Sequence, residues 1–137
     1  MSKRIPADKS TPPRPTDAEC AILAILWARG AATVREVFND LSERQDVGHT
    51  TVLKFMQIMT DKGLLIRDAT VRPQVFRPAQ DRVKVQQDMV GDLLDRVFGG
   101  SMQSLVLRAL SARPSSPEEL AAIRRYLDQA SPERVDS

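Results

Sequence analysis

This 137-residue sequence is poor in the side chains that most chemistry uses. It holds one cysteine and one histidine, so neither an internal disulfide nor a four-ligand zinc site can be assembled from a single chain. A lone thiol fits a reducing compartment, and a cytoplasmic location is expected. No apolar run approaches the ~20 residues that span a bilayer, so no membrane insertion is expected, and the N-terminus lacks the apolar segment of a signal peptide. There is no glycine-rich phosphate loop. Cys20 lies beside Ala21, Ile22 and Leu23, which offer none of the positive charge that activates a thiol. Glu118-Glu119 and Arg124-Arg125 read as a helix cap and a solvated helix face. Catalysis is therefore not expected, and the sequence requires no cofactor and no metal. Aromatic residues make up only 4% against 42% hydrophobic. The core must then be aliphatic and modest, as in a small helix-rich protein.

What is present is unevenly placed. Residues 1–80 hold 12 basic and 9 acidic residues, and residues 81–137 hold 8 and 9. A basic front and a neutral rear suit an anion-binding module joined to a segment with another partner. Residues 1–15 carry four prolines and four basic residues against one acid, the composition of a disordered basic arm. Thr16 and Glu19 then form a capping box, and the run from Cys20 to Ala28 is apolar enough to bury most of a helix, with Cys20 and Trp27 in its core. A second capping box, Thr33 with Glu36, opens a helix whose Val34, Val37, Phe38 and Leu41 share one face. After a polar turn comes the stretch around which the chain is organised, Gly48 to Gly63. Val52, Phe55, Met56 and Met59 recur at helical spacing. His49 lies at the start of this helix and Thr51 at the edge of its outer face. Thr50, Lys54, Gln57 and Asp61 occupy that outer face. Hydroxyls, an amide and a lysine can meet base edges and phosphates, although the same face would also serve an ordinary surface helix.

Two short strands follow, Leu64–Arg67 and Val75–Pro78, joined by residues 69–74. Arg67, Arg72 and Arg77 make this hairpin basic, with Arg72 and Arg77 as candidate phosphate contacts. Three helices and a basic hairpin predict a winged helix-turn-helix over residues 16–79. Residues 80–130 read as three more helices. Asp81 is the N-cap of the first, whose Val83, Val90 and Val97 repeat every seven residues, with Leu93, Leu94 and Phe98 beside them. Gly99-Gly100 end it. A short helix presents Met102, Leu105, Val106, Ala109 and Leu110, and a third capping box at Ser116-Pro117-Glu118-Glu119 opens a last helix with Leu120, Ile123 and Leu127. About 50 residues make a marginal core alone. These apolar positions are therefore expected to form a dimer interface, although packing back onto the front domain would also cover them. A two-fold axis also suits a protein that reads half-sites. Residues 131–137 are expected to be a flexible tail. The fold class is mainly α.

Thr16–Trp27 (TDAECAILAILW), Gly48–Leu65 (GHTTVLKFMQIMTDKGLL) and Val97–Leu107 (VFGGSMQSLVL) resemble the BlaI/MecI/CopY family of bacterial penicillinase-type repressors, over about residues 16–130. The resemblance implies a winged-helix DNA-binding domain, a helical dimerisation domain and repression at a palindromic double-stranded operator. It implies that Thr50, Thr51 and Lys54 enter the major groove. It also implies a membrane sensor metalloprotease as a partner that triggers repressor cleavage. The sequence departs from the family at two places. Characterised penicillinase repressors are cut at an Asn-Phe bond, and Arg108-Ala109 stands at the corresponding place. Copper-responsive relatives carry a C-terminal cysteine cluster that is absent here, which excludes copper sensing by that route. Two other readings stay open on sequence alone: a winged helix used for protein–protein contact, and a DNA-binding regulator that senses a small ligand.

Overall fold

A computed structural model describes residues 14–130. Of the expected arm at residues 1–15, all but Arg14 and Pro15 lies outside the described residues, as does the expected tail at 131–137. The elements run α1 (Asp17–Arg29), α2 (Val34–Ser42), α3 (His49–Asp61), β1 (Leu65–Asp68), β2 (Val75–Pro78), α4 (Arg82–Arg96), α5 (Met102–Ala112) and α6 (Pro117–Gln129). The chain is mainly helical, with an antiparallel hairpin directly after three helices, as the sequence predicts. It divides into two compact units between Val90 and Gly91, inside α4. The sequence reading places that division earlier, at the end of the second strand.

In the front unit the helix starts are fixed by local chemistry. Thr16 Oγ1 accepts from the Glu19 N–H at 3.2 Å and Glu19 Oε1 accepts from the Thr16 N–H at 3.0 Å. Thr33 and Glu36 repeat the arrangement at 3.1 and 2.9 Å. Both expected boxes are therefore complete. α3 ends in a Schellman turn: the Leu64 N–H donates to Met59 O and the Gly63 N–H to Thr60 O, with Gly63 at φ 86° where a β-carbon would be strained. Leu64 therefore belongs to the helix stop. The strand begins one residue later than its apolar run suggests.

The core of this unit joins Ile22, Leu23, Ile25 and Leu26 of α1, Val37 and Leu41 of α2, and Val52, Met56 and Met59 of α3 with Leu64, Leu65 and Phe76. Cys20 and Trp27, expected inside, are only half-buried. Trp27 lies at the rim because its indole N–H donates to Gln80 O at 3.2 Å, and a partnered polar edge needs no burial. Ala32 exchanges two backbone hydrogen bonds with Phe76, at 2.8 and 3.0 Å. This single bridge from the α1–α2 link to β2 holds the hairpin against the helices. Arg29 closes α1 onto α2 through a two-pronged bond to Asp40 at 2.7 and 3.0 Å. Val85, outside the heptad of valines, is the buried residue of α4 and lines a small void with Leu64 and Met89. The first turns of α4 therefore belong to the front unit.

One charged side chain is buried among the described residues: Glu19, 3% exposed. Besides capping α1 it accepts two bonds from Lys62 Nζ, at 2.8 and 2.9 Å. Lys62 is the C-cap of α3, so the pair ties the start of α1 to the end of α3 across 43 residues of sequence. Burial pushes the Glu19 carboxyl up. Lys62 and the Thr16 hydrogen bonds outweigh this and leave it below its ordinary value of 4.5.

The rear unit is organised differently. The cap of α4 still lies in the front unit, where Asp81 accepts from the Lys84 N–H at 3.1 Å. Gly99 and Gly100, both with positive φ, end the chain segment after α4. Ser101 caps α5 and Ser116 caps α6, with Pro117 in the first helical turn. The expected box at Ser116 is only half made: Ser116 accepts from the Glu119 N–H at 3.0 Å, but no return bond from Glu119 is present. α5 and α6 bury none of their residues.

Candidate nucleic-acid interface

The fold turns one face of α3 outward. Val52, Met56 and Met59 are fully buried and Phe55 is half-buried. Thr50, Thr51, Lys54, Gln57 and Asp61 are exposed on the opposite side. The 3.6-residue repeat forces this split, since burying one stripe must expose the other. The start of α3 differs from those of its neighbours. α1 and α2 each have a threonine cap and a carboxylate in the first turn. α3 begins at Gly48, with no side-chain cap and no acid in its first turn. Among the described residues no side chain caps its first N–H groups or offsets the positive end of its dipole, which suits a phosphate oxygen.

His49 sits at this end, half-buried. Its ring meets the edge of Phe38 with centroids 5.6 Å apart at 68°. The Arg35 guanidinium lies 5.9 Å from the centre of the same Phe38 ring. Phe38, read from the sequence as a core residue, is also a post that positions one cation and one imidazole beside α3.

The hairpin supplies the opposite wall. Its register pairs Arg67 with Phe76 and Ile66 with Arg77. Directly opposed residues share a face and the faces alternate. Leu65, Arg67 and Phe76 therefore lie on the inner face, and Ile66, Asp68 and Arg77 on the outer one. A groove of about 330 Å³ runs between α3 and this inner face, lined by Arg35, His49, Leu53, Gln57, Arg67, Arg72 and Phe76, among others. Arg77 does not line it. It borders a separate open hollow with Trp27 and Pro78. Of the candidates named from sequence, the structure thus brings together His49, Gln57 and Arg72 in the groove. Thr50, Thr51 and Lys54 lie on the face of α3, and Arg77 is set apart. Sequence reasoning missed Arg35 and did not separate Arg67 from Arg77. Strand alternation about the apolar Phe76 is the signal that separates Arg77 from the groove.

The outer face of the hairpin carries its own acid. The Thr70 hydroxyl and N–H both donate to Asp68 Oδ1. These bonds hold the Asp68 carboxyl below its ordinary value, with Arg77 adding a weaker pull.

Among the described residues there is no group of three or more histidines, cysteines and acids that could hold a metal. No helix there is long and apolar enough to cross a membrane. The arrangement offers hydrogen-bonding groups and cations on a convex helix flanked by a basic wing, which is what duplex recognition requires.

Comparison with known proteins agrees. Residues 15–129 match the family model described as penicillinase repressor. The chain is 24% identical over 117 residues to the penicillinase repressor of Bacillus licheniformis, covering 85% of this chain and 91% of that one. It is 29% identical over 112 residues to the transcriptional regulator BlaI of Mycobacterium tuberculosis, covering 81% and 80% of the two chains. The chain belongs to the penicillinase repressor family of transcriptional regulators.

Proposed function

We propose that this protein is a cytoplasmic, dimeric repressor that binds a palindromic DNA operator through α3 and is carried on DNA by its front unit. The observation that carries the reading is the outer face of α3: Thr50, Thr51, Lys54 and Gln57 are exposed beside a helix start that no side chain among the described residues caps. His49 and Arg72 flank this face as further DNA contacts, and Arg77, on the outer face of the hairpin, would meet DNA away from α3. Residues 81–130 would form the dimer. Val83, Val90, Leu93, Val97, Leu110 and Leu127 are exposed in the single chain. Leu94, Phe98, Leu105, Val106, Leu120 and Ile123 are only half-covered. A second copy would remove that surface from water. Release by a membrane sensor metalloprotease would act in α5, where Arg108 and Ala109 are exposed. Cutting there would separate the two DNA-binding units.

Lys54 and Thr51 test the reading face. Lys54→Ala is expected to weaken operator binding and to lower the log–log salt slope by about one, as for a single phosphate contact. Thr51→Ala is expected to cost about 1 kcal/mol or more at the specific site and nothing on random DNA, as for a base contact. Binding isotherms at several salt concentrations read both. Unchanged affinity in both variants, with folding intact, would remove α3 from the interface. The absence of any salt-dependent DNA binding would point to a protein-contact module.

A further inference from the structure

Resting on that reading, we propose that Thr70, in the hairpin loop, is a phosphorylation site for an arginine-directed serine/threonine kinase, and that its phosphate releases the protein from DNA. Kinases choose substrates by the charge pattern around the hydroxyl. Four hydroxyl residues of this chain have an arginine three positions before them: Thr70, Ser111, Ser116 and Ser137. The fold separates them. Ser111 lies in α5 and donates to Leu107 O. Ser116 caps α6 by accepting from the Glu119 N–H, and Pro117 follows it in the first helical turn. Ser137 lies outside the described residues. Thr70 lies between β1 and β2, with Arg67 before it, the apolar Val71 directly after it and Arg72 one further on. Residues 66–73 are all exposed, so a kinase cleft can close around the whole segment. A helical hydroxyl such as Ser111 cannot be drawn out in this way without breaking backbone hydrogen bonds.

In the modification the Thr70 oxygen attacks the γ-phosphorus of a nucleoside triphosphate held by the kinase. A new O–P bond forms and the bond from that phosphorus to the β–γ bridging oxygen breaks. The nucleoside diphosphate leaves, and the hydroxyl proton passes to the base of the kinase. The product cannot keep the present turn. The Thr70 hydroxyl donates to Asp68 Oδ1. Its replacement carries a charge of about −1.5 to −2 and stands beside that carboxylate, where like charges repel. Residues 65–78 hold three arginines against one acid, so the phosphate removes nearly all the positive excess of the hairpin. The nearest cations in the chain are Arg67 and Arg72, and a phosphate within their reach competes with DNA for their guanidiniums. The hairpin then ceases to attract a polyanion, while the reading face of α3 is untouched.

The test treats the full-length protein with a purified arginine-directed serine/threonine kinase and magnesium ATP, and maps phosphate by mass spectrometry. A free peptide of residues 64–78 is the positive control. Phosphate is expected on Thr70 in wild type, and none on Ser111 or Ser116. Thr70→Ala and Arg67→Ala should leave the hairpin unmodified. DNA affinity is then measured over a range of potassium chloride concentrations, on a duplex selected by the unmodified protein and on one of random sequence. Phosphorylation should weaken both by about tenfold or more and lower the log–log salt slope by about two, as two arginines turn to the phosphate. Phosphatase should restore both values, and Thr70→Ala should bind as wild type before and after kinase treatment. A kinase that modifies the peptide but not Thr70 of the folded protein would overturn the site. Unaltered affinity of the Thr70-phosphorylated protein, while Thr51→Ala still weakens the selected duplex, would overturn the switch and leave the α3 reading standing. Failure of the unmodified protein to bind either duplex would remove the reading on which the switch rests.

Discussion

Placing a glutamate at Leu127 or at Val97 is expected to convert the protein to a folded monomer that holds a full operator no better than a half-site. Val97 is 63% exposed and Leu127 58% exposed in the single chain. A carboxylate at either position costs the isolated chain little, since it points into water. In a dimer whose shared core includes these positions, the same carboxylate would be buried without a partner, which is strongly unfavourable. Losing the dimer loses the tether between two reading helices, and avidity of about 100-fold or more goes with it. Leu94 is a poorer choice for this experiment. It is half-covered within its own chain, so a charge there would disturb the monomer as well. Sedimentation equilibrium gives the mass and a titration with full and half operators gives the avidity. A wild-type protein that sediments as a monomer at micromolar concentration would contradict the shared core. So would a glutamate variant that remains dimeric.

Replacing Lys62 by methionine is expected to cost about 2–4 kcal/mol at neutral pH, because it strands the buried Glu19 carboxylate. Only the Thr16 N–H bond would remain to it. The pH dependence gives a sharper signature. In the wild type the Glu19 carboxyl titrates below 4.5. Its folded form is then favoured above the unfolded pKa, and that contribution is lost as pH falls through the folded pKa. Without Lys62, burial is opposed only by the Thr16 hydrogen bonds, and the carboxyl is expected to shift upward past its ordinary value. The sign reverses: the variant should lose stability as pH rises from the acid range toward neutrality. Denaturant titrations at pH 4 and pH 7 compare the two proteins. A penalty for Lys62→Met that is larger at pH 4 than at pH 7 would show that the ion pair does not govern this contact. Adding Glu19→Gln to Lys62→Met should recover part of the loss, since an amide is cheaper to bury than an unpaired carboxylate.

The contrast between these two sites marks what was legible in the sequence. Local chemistry was. Thr16 with Glu19, Thr33 with Glu36, and Asp81 before α4 announce helix starts by spacing alone, and Gly63 announces a stop. The apolar stripe of Val52, Met56 and Met59 fixed which side of α3 faces out, and so its polar face was readable before any coordinates. Pairings distant in sequence were not legible. Nothing in the residues near Glu19 names Lys62 as its partner. A single alanine, Ala32, carries no strand signal, yet it pairs with Phe76. Val85 lies outside the seven-residue repeat and is buried because Leu64 and Met89 come to it through the fold. The sidedness of the hairpin was half legible. Arg67, Arg72 and Arg77 could be recognised as a basic cluster, but only the register assigns Arg67 to the inner face and Arg77 to the outer.

Two copies of α3, joined through the rear helices, are expected to read two related half-sites. The most direct measurement is selection of binding sites by the full-length protein from a pool of random duplexes, followed by sequencing. The expected product is an inverted repeat whose half-site centres lie about one or two helical turns apart, roughly 10 or 20 base pairs; Val97→Glu should lose the repeat and Thr51→Ala should change the bases within each half. Recovery of a single asymmetric site by the wild-type protein, or no enrichment at all, would contradict it.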